Sequence, residues 1–177
     1  MNQFFKQTLT PALIYSGILL GILILFTIIM DVAGSFYGGV NRIGSIIITY
    51  AGLIYAMYAF RKEYNENVIS YQRALGFGVL VALLIGVFGS VFSYLYIYHI
   101  NTDLIELGRR FTEERMLERG MSPEMVESAM ERQQRFQGPQ FIILFGTLFT
   151  VLIGTIVSLI AAAAIKREPK DPFQGVQ

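Results

Sequence analysis

The thirty residues FQGPQFIILFGTLFTVLIGTIVSLIAAAAI, at positions 136–165, contain no Asp, Glu, Lys or Arg. A helix rises 1.5 Å per residue, so this run reaches about 45 Å, whereas the hydrocarbon core of a bilayer is about 30 Å thick. A buried helix in a water-soluble bundle normally keeps a charged stripe, and this run has none. The run therefore predicts a membrane-spanning helix.

Three more uncharged runs precede it, at residues 7–30, 43–60 and 74–98. Their helical lengths are about 36, 27 and 37 Å, so each can cross a bilayer, the second only just. The first run is too long for the core of a secretory signal, which is usually about 7 to 15 residues, so we interpret it as a retained span.

The fold class that follows is all-α: an integral membrane four-helix bundle. The predicted spans are about residues 10–30, 43–60, 74–98 and 140–165, in a single membrane domain over residues 1–177. Residues 166–177, KREPKDPFQGVQ, are too polar and too rich in proline to fold, and they predict a flexible cytoplasmic tail.

Residues 99–138 form the one sizeable polar segment between the spans. Gly120 is a typical helix stop within it, and Ser122 with Pro123 is a typical helix start. The segment is therefore predicted to be an extramembrane αα-hairpin inserted between the third and fourth spans.

The second helix of this hairpin is amphipathic. Its apolar arc, which also includes Gln133, defines a candidate interaction surface: Met125, Val126, Ala129, Met130 and Phe136. Such a stripe must be covered by the sister helix, the membrane surface or another protein. Packing on the sister helix is the simplest cover, although the deformable methionines would also suit a protein partner.

Pairs of small residues, four positions apart, occur in three of the predicted spans. They are Gly17 with Gly21, Gly86 with Ser90, and Gly154 with Ser158. Small residues at this spacing let helix backbones approach closely. We expect these six residues to pack the helices of one subunit, with dimerisation as the alternative.

The count of lysine and arginine in the flanks of the spans predicts orientation. The side of the termini carries Lys6, Arg61, Lys62, Arg73, Lys166, Arg167 and Lys170, whereas the short loop opposite carries Arg42 alone. The six arginines of the hairpin would level the count at seven on each side if all had full weight, and its eight acidic residues contribute little to this rule, so the prediction depends on the short flanks. We therefore predict cytoplasmic N- and C-termini and an external hairpin.

Several function classes are disfavoured by composition. The net charge of +1, with basic and acidic residues interleaved, gives no reason to expect nucleic acid as a partner. One histidine and no cysteine leave too few ligands for a metal site, and no nucleophile stands beside a base. We predict no cofactor and no enzymatic activity.

The blocks ITYAGLIYAMYAFRKEY, ISYQRALGFGVL, SVFSYLYIYHINTD and GTIVSLIAAAAIKRE, with the acidic helical insert before the last, carry a resemblance to a known family. In order and spacing they resemble a four-span bacterial membrane family catalogued as domain of unknown function 4199. The resemblance implies an integral protein of the bacterial inner membrane with no established activity, and it supplies no functional residues.

We therefore predict a non-enzymatic multi-pass protein that lies in the lipid bilayer and anchors an external hairpin. The hairpin would bind another envelope protein or a second copy in a homo-oligomer. Two other functions stay open. One is a subunit of an oligomeric small-solute transporter or channel, with Asp31, Tyr94, Tyr98 and His99 at its mouth. The other is a sensor of a lipid or small ligand.

Overall fold

The computed structural model describes residues 2–134 and 138–167, and these residues are almost entirely helical. The helices are α1 (Asn2–Val32), α2 (Gly39–Tyr64), α3 (Tyr71–Leu95), α4 (Asp103–Glu118), α5 (Pro123–Gln134) and α6 (Pro139–Ile165), with a π-helical turn at Tyr96–Ile100 that continues α3. Four segments are long and apolar enough to cross a membrane: Gln7–Val32, Gly39–Tyr64, Tyr71–Ile100 and Gln140–Ile165. The predicted all-α fold with four candidate spans is confirmed.

The outward faces of the spans are apolar. In the most apolar window of α1 only 11% of the residues are buried, and Ile18, Ile22 and Leu25 are among the exposed side chains. On α6, Leu148 and Phe149 are also more than half exposed. Exposed apolar patches of this extent are rare on water-soluble monomers but match a lipid environment, so the surface itself supports a membrane location.

Local sequence signals fix most of the helix ends. The Ser70 hydroxyl caps α3 by accepting a hydrogen bond from the Arg73 backbone N–H. Gly120, with φ +81°, follows the end of α4, and α5 begins at Pro123 as predicted. The start of α1 is different: the first predicted span begins at about residue 10, whereas α1 begins at Asn2, so that Pro11 lies inside the helix. Spanning helices tolerate proline because neighbouring helices and local adjustments compensate the freed backbone groups.

The four spans form a diamond in cross-section. Helices α2 and α3 contact each other, and each also contacts α1 and α6. Among the described residues, α1 and α6 share no contact. The pair α2–α3 is therefore the short diagonal of the diamond, and α1 and α6 lie on opposite sides of it.

The most extensive helix pair is α3 with α6, and small residues line the contact between them. A Cβ on Gly154 would lie 2.5 Å from the Ala82 Cβ, and one on Gly146 would lie 2.6 Å from the Ser90 Oγ. Positions four apart recur on both helices; they are Ala74, Gly78, Ala82, Gly86 and Ser90 on α3, and Gly146, Thr150, Gly154, Ser158 and Ala162 on α6. We call this contact the small-residue seam, and it allows two spanning helices to approach closely.

The predicted packing residues divide between the seam and the lipid face. Gly86, Ser90, Gly154 and Ser158 all lie in the seam. The expected contact of Gly17 and Gly21 within the subunit is not formed, because nothing lies within 4 Å of a Cβ at either position. Helix α1 instead buries a different set of side chains against the bundle, which includes Thr8, Ala12, Ser16 and Leu19.

The bundle is packed tightly at one end and loosely at the other. The end that carries residues 7, 64, 71 and 165, the terminal end, has a dense core that includes Leu53, Met57, Phe60, Phe77 and Val81. The end that leads to α4 and α5, the hairpin end, lacks this filling: no residue of α2 before Leu53 is buried. The helices therefore enclose more space toward the hairpin.

Hydrogen bonds close the terminal end. Ile69 and Arg167 exchange two backbone hydrogen bonds of 3.0 Å each, an isolated antiparallel bridge between the α2–α3 loop and the residue after α6. The Arg61 guanidinium, only 6% exposed, donates through Nη1 to the Ile165 carbonyl at 3.0 Å. It also lies 4.8 Å above the Tyr58 ring. These contacts tie the ends of α2 and α6 together.

Candidate functional site

At the hairpin end, α1 and α3 are joined through a carboxylate. Asp31 Oδ2 accepts a hydrogen bond of 2.6 Å from the Tyr96 hydroxyl and another of 2.8 Å from the Asn101 side-chain amide. The Tyr96 ring is buried and stacks on Phe36, with 6.1 Å between the ring centroids. Hydrogen bonds to a charged acceptor are stronger than neutral ones, so this cluster fixes the exit of α3 against the exit of α1.

The π-helical turn at Tyr96–Ile100 separates two sets of aromatic residues. Tyr96 faces Asp31, whereas Tyr94 and Tyr98 stack on each other at 5.1 Å and His99 lies 5.6 Å from Tyr94. The four residues predicted to line a transport mouth therefore do not converge on one site. Asp31 belongs to the part-buried cluster around Tyr96, and the other three form a separate patch. A π turn inside a helix often marks a functional position.

The short α1–α2 loop holds the base of the hairpin. The Tyr37 hydroxyl donates a 2.9 Å hydrogen bond to the Leu104 carbonyl in the first turn of α4. The Tyr37 ring stacks on Phe111, and a Cβ on Gly108 would lie 2.6 Å from the Tyr37 hydroxyl. Burial raises the pKa of Tyr37 above its ordinary value of 10.0, so its hydroxyl stays a hydrogen-bond donor at neutral pH. We call these contacts the hairpin mount.

Beyond the mount, the hairpin leaves the bundle. Among the described elements α5 contacts α4 alone. In the predicted interaction surface, Val126 and Met130 are 4% and 8% exposed, Ala129 is half-buried and Met125 is 57% exposed. Phe136 lies outside the described residues. Val126 and Met130 are thus covered, and Met125 is the apolar side chain of the stripe that a partner can reach directly.

The two hairpin helices do not close fully on each other. A cleft of about 550 Å³ lies between them, and half of its lining residues are charged. The lining comprises Arg109, Glu113, Leu117, Pro123, Val126, Glu127, Met130 and Glu131. A protein side chain or a short segment could occupy this cleft, because protein interfaces commonly combine an apolar centre with a polar rim.

A second cavity lies inside the membrane, in the loosely packed half of the bundle. It measures about 340 Å³ and is bounded by all four spans. Its apolar walls include Leu23, Ile46, Ile85 and Phe149, and seven of its lining residues carry hydroxyls: Thr27, Ser45, Thr49, Tyr50, Ser90, Ser93 and Thr150. No lining residue is ionisable at neutral pH. The sequence gives no sign of this cavity, because its hydroxyls come from four helices.

Within residues 2–134 and 138–167 no group of three His, Cys, Asp or Glu side chains is placed to hold a metal ion. The described carboxylates lie on the hairpin, at the end of α2 and in the loop that follows it, or in the Asp31 cluster.

The family model described as "Protein of unknown function (DUF4199)" matches residues 14–167, which include most of the four spans and the hairpin. The chain belongs to this family. Comparisons with curated proteins and with solved structures found no match. For this member of DUF4199, the resemblance noted from the sequence is confirmed, and the seam, the cavity and the hairpin mount all lie within the matched region.

Proposed function

We propose that this DUF4199 member is a non-enzymatic membrane protein that holds a helical hairpin in a fixed position outside the bilayer and binds a partner protein through it. The observation that carries the proposal is the hairpin mount. It fixes the first turns of α4 through Tyr37 and Leu104, while α5 contacts α4 alone among the elements that the structure describes.

The accessible chemistry of the hairpin favours a protein partner. Leu107, Leu117 and Met125 are each 45% to 57% exposed, and the cleft between α4 and α5 adds apolar residues behind a charged rim. Residues 103–134 carry eight acidic and five basic side chains, a net charge of −3. Complementary charge steers association, so the expected partner presents a basic surface with an apolar side chain at its centre. A second copy of the chain is the other partner that we consider.

In this proposal the hairpin lies on the external side of the bacterial inner membrane and the termini are cytoplasmic. The basic residues at the terminal end, which include Arg61, Lys62 and Arg73, support this orientation. Because the chain contains no cysteine, single substitutions can test it without background. A membrane-impermeant maleimide should label Met125→Cys in intact cells and should label Lys62→Cys only after lysis. The reverse pattern would overturn the orientation.

Site-specific photocrosslinking in the native membrane tests the partner. A photoreactive amino acid at Met125 should give one discrete adduct. The same amino acid at Leu152, which is 53% exposed on the lipid-facing side of α6, is the matched control and should give none. Charge reversal at Glu124 and Glu127 should remove the adduct. An adduct of twice the monomer mass identifies self-association. Absence of an adduct from Met125, Leu117 and Leu107 alike would overturn the proposal.

Transport has weaker support. The cavity in the hairpin half does not continue toward the terminal end, because Leu53, Met57 and Phe60 fill the core there. A solute path through one subunit would require these side chains to move apart. The cavity is a closed-ended space, which suits binding better than passage.

A further inference from the structure

We infer that the cavity within the spans is a binding site for an uncharged, lipid-soluble molecule that has an alkyl chain and a hydrogen-bonding oxygen, such as a long-chain alcohol or ester. The inference is independent of the hairpin's partner.

The charge of the occupant follows from the lining. None of the lining residues is Asp, Glu, Lys, Arg or His. A charged group at this depth would have to leave water without a counterion, and this is costly in a bilayer core. A fatty acid anion or a phosphate group is therefore a poor fit, and a neutral molecule is a good one.

The need for an oxygen function follows from the hydroxyls. A serine or threonine in a spanning helix commonly donates to the carbonyl four residues earlier. Thr27 and Thr49 do so here, to Leu23 and Ser45. By contrast, Tyr50, Ser93 and Thr150 make no side-chain hydrogen bond to any residue in the described ranges, and all three line the cavity. These hydroxyls from α2, α3 and α6 remain available to bind a polar atom of the occupant.

The route of entry is lateral. Ile46 and Phe149 line the cavity and are 51% and 68% exposed, so the opening lies between α2 and α6 and faces lipid. Nearer the terminal end the same helices meet, where Leu53 approaches Gly154. An alkyl chain can therefore enter from the bilayer without crossing a polar surface. The volume of about 340 Å³ falls within the usual range of ligand sites, about 300–1,000 Å³.

Photolabelling of the full chain in phosphatidylcholine nanodiscs tests the inference. The probe is a long-chain alcohol with a diazirine in its alkyl chain, and the fatty acid of equal length is the charged comparison. Mapped adducts should fall on cavity residues of α2, α3 and α6, and the alcohol should label them more than the acid does. Removing the three free hydroxyls together, as Tyr50→Phe, Ser93→Ala and Thr150→Val, should lower this labelling by about fivefold or more.

Two matched pairs of variants distinguish loss of probe binding in the cavity from a general loss of folding. Gly89→Leu should fill the cavity and prevent labelling, since a Cβ there lies 3.6 Å from Leu20, an ordinary contact. Gly17→Leu makes the same change in open space on α1 and should leave labelling unaltered. Thr155→Val, whose hydroxyl already bonds to Val151, is the control for Thr150→Val.

Three results would overturn the inference. One is labelling confined to outward side chains such as Ile18 and Ile22. Another is cavity labelling that Gly89→Leu leaves unchanged. The third is a cavity that gives no adduct while hydroxyl-radical footprinting marks Tyr50, which would show a site filled by water alone.

Discussion

The Tyr37 hydroxyl donates a 2.9 Å hydrogen bond to the carbonyl of Leu104, 67 residues later in the chain. This bond joins the short α1–α2 loop to the long segment that carries α4 and α5. Helix α4 is therefore held from two sides, by its covalent link to α3 and by the α1–α2 loop.

Replacing Tyr37 with phenylalanine should loosen the hairpin base and leave the spans intact. The change removes one neutral hydrogen bond, so we expect the opening free energy of the first turns of α4 to fall by about 1 kcal/mol. Faster hydrogen exchange of residues 104–111, with unchanged exchange in α3, would show this. Tyr55→Phe is the control, since Tyr55 is exposed and far from the hairpin. Equal exchange in both variants would contradict the prediction.

Tyr96→Phe should have a larger effect, because its hydroxyl bonds to a carboxylate. The substitution leaves Asp31 with Asn101 as its remaining partner among the described side chains. Hydrogen bonds to charged groups are worth about 1.5–3 kcal/mol, so the thermal midpoint in detergent should fall. Tyr94→Phe, two residues away, provides the comparison and should change the midpoint little. A smaller loss from Tyr96→Phe than from Tyr94→Phe would refute the role of the cluster.

The small-residue seam predicts strong steric sensitivity. Gly154→Val places a Cβ in contact with Ala82, and overpacking of this kind costs about 1–3 kcal/mol or more. Gly17→Val meets open space and should leave stability near that of the parent chain. Unfolding by a denaturing detergent, followed by circular dichroism, compares the two. Equal resistance of both variants would mean that α3 and α6 do not approach as closely as described.

Ser158 lies in the same seam, but its substitution by alanine should not lower stability as Gly154→Val does. Its hydroxyl is fully buried and has no hydrogen-bond partner among the described residues. Removing an unsatisfied buried hydroxyl relieves a desolvation cost, so Ser158→Ala should keep or raise stability by up to about 1 kcal/mol. The same unfolding assay measures it. A clear loss of stability would reveal a hydrogen bond that this geometry lacks.

At the terminal end, Arg61→Gln should destabilise the contact between α2 and α6. The guanidinium loses its hydrogen bond to Ile165 and its position over Tyr58, together worth about 2 kcal/mol. Its neighbour Lys62 is exposed, and Lys62→Gln should change stability by less than about 0.5 kcal/mol. The thermal midpoints of the two variants in the same detergent provide the test; similar midpoints would contradict the assigned role.

The sequence predicted an all-α chain with four candidate spans but only part of their packing, for a physical reason. A charge-free run of 30 residues has few other stable locations than a bilayer, and Gly120 with Pro123 marks a break between two helices. By contrast, a small residue permits a close approach without specifying which helix approaches. Gly17 and Gly21 therefore gave the wrong contact. The stronger signal was a four-residue repeat of small residues sustained along both α3 and α6, from Ala74 to Ser90 and from Gly146 to Ala162.

The functional features were harder to predict, because they depend on distant residues. The sequence offered Asp31 only as one of four candidates for a transport mouth, and its hydrogen-bond partners lie 65 and 70 positions away. The hydroxyls of the cavity are ordinary in their own helices. They come together around one cavity only in the loosely packed half of the bundle, near the hairpin.

The π turn at Tyr96–Ile100 also affects the direction in which the hairpin leaves the bundle. Such a turn amounts to one additional residue within an α-helix, and each residue of an α-helix corresponds to a rotation of about 100°. Deleting one residue from this turn would restore regular winding and swing α4 and α5 about a quarter of a circle around the axis of α3. The direction in which the hairpin leaves the four spans therefore depends on the number of residues in this turn, together with the contacts of Tyr37.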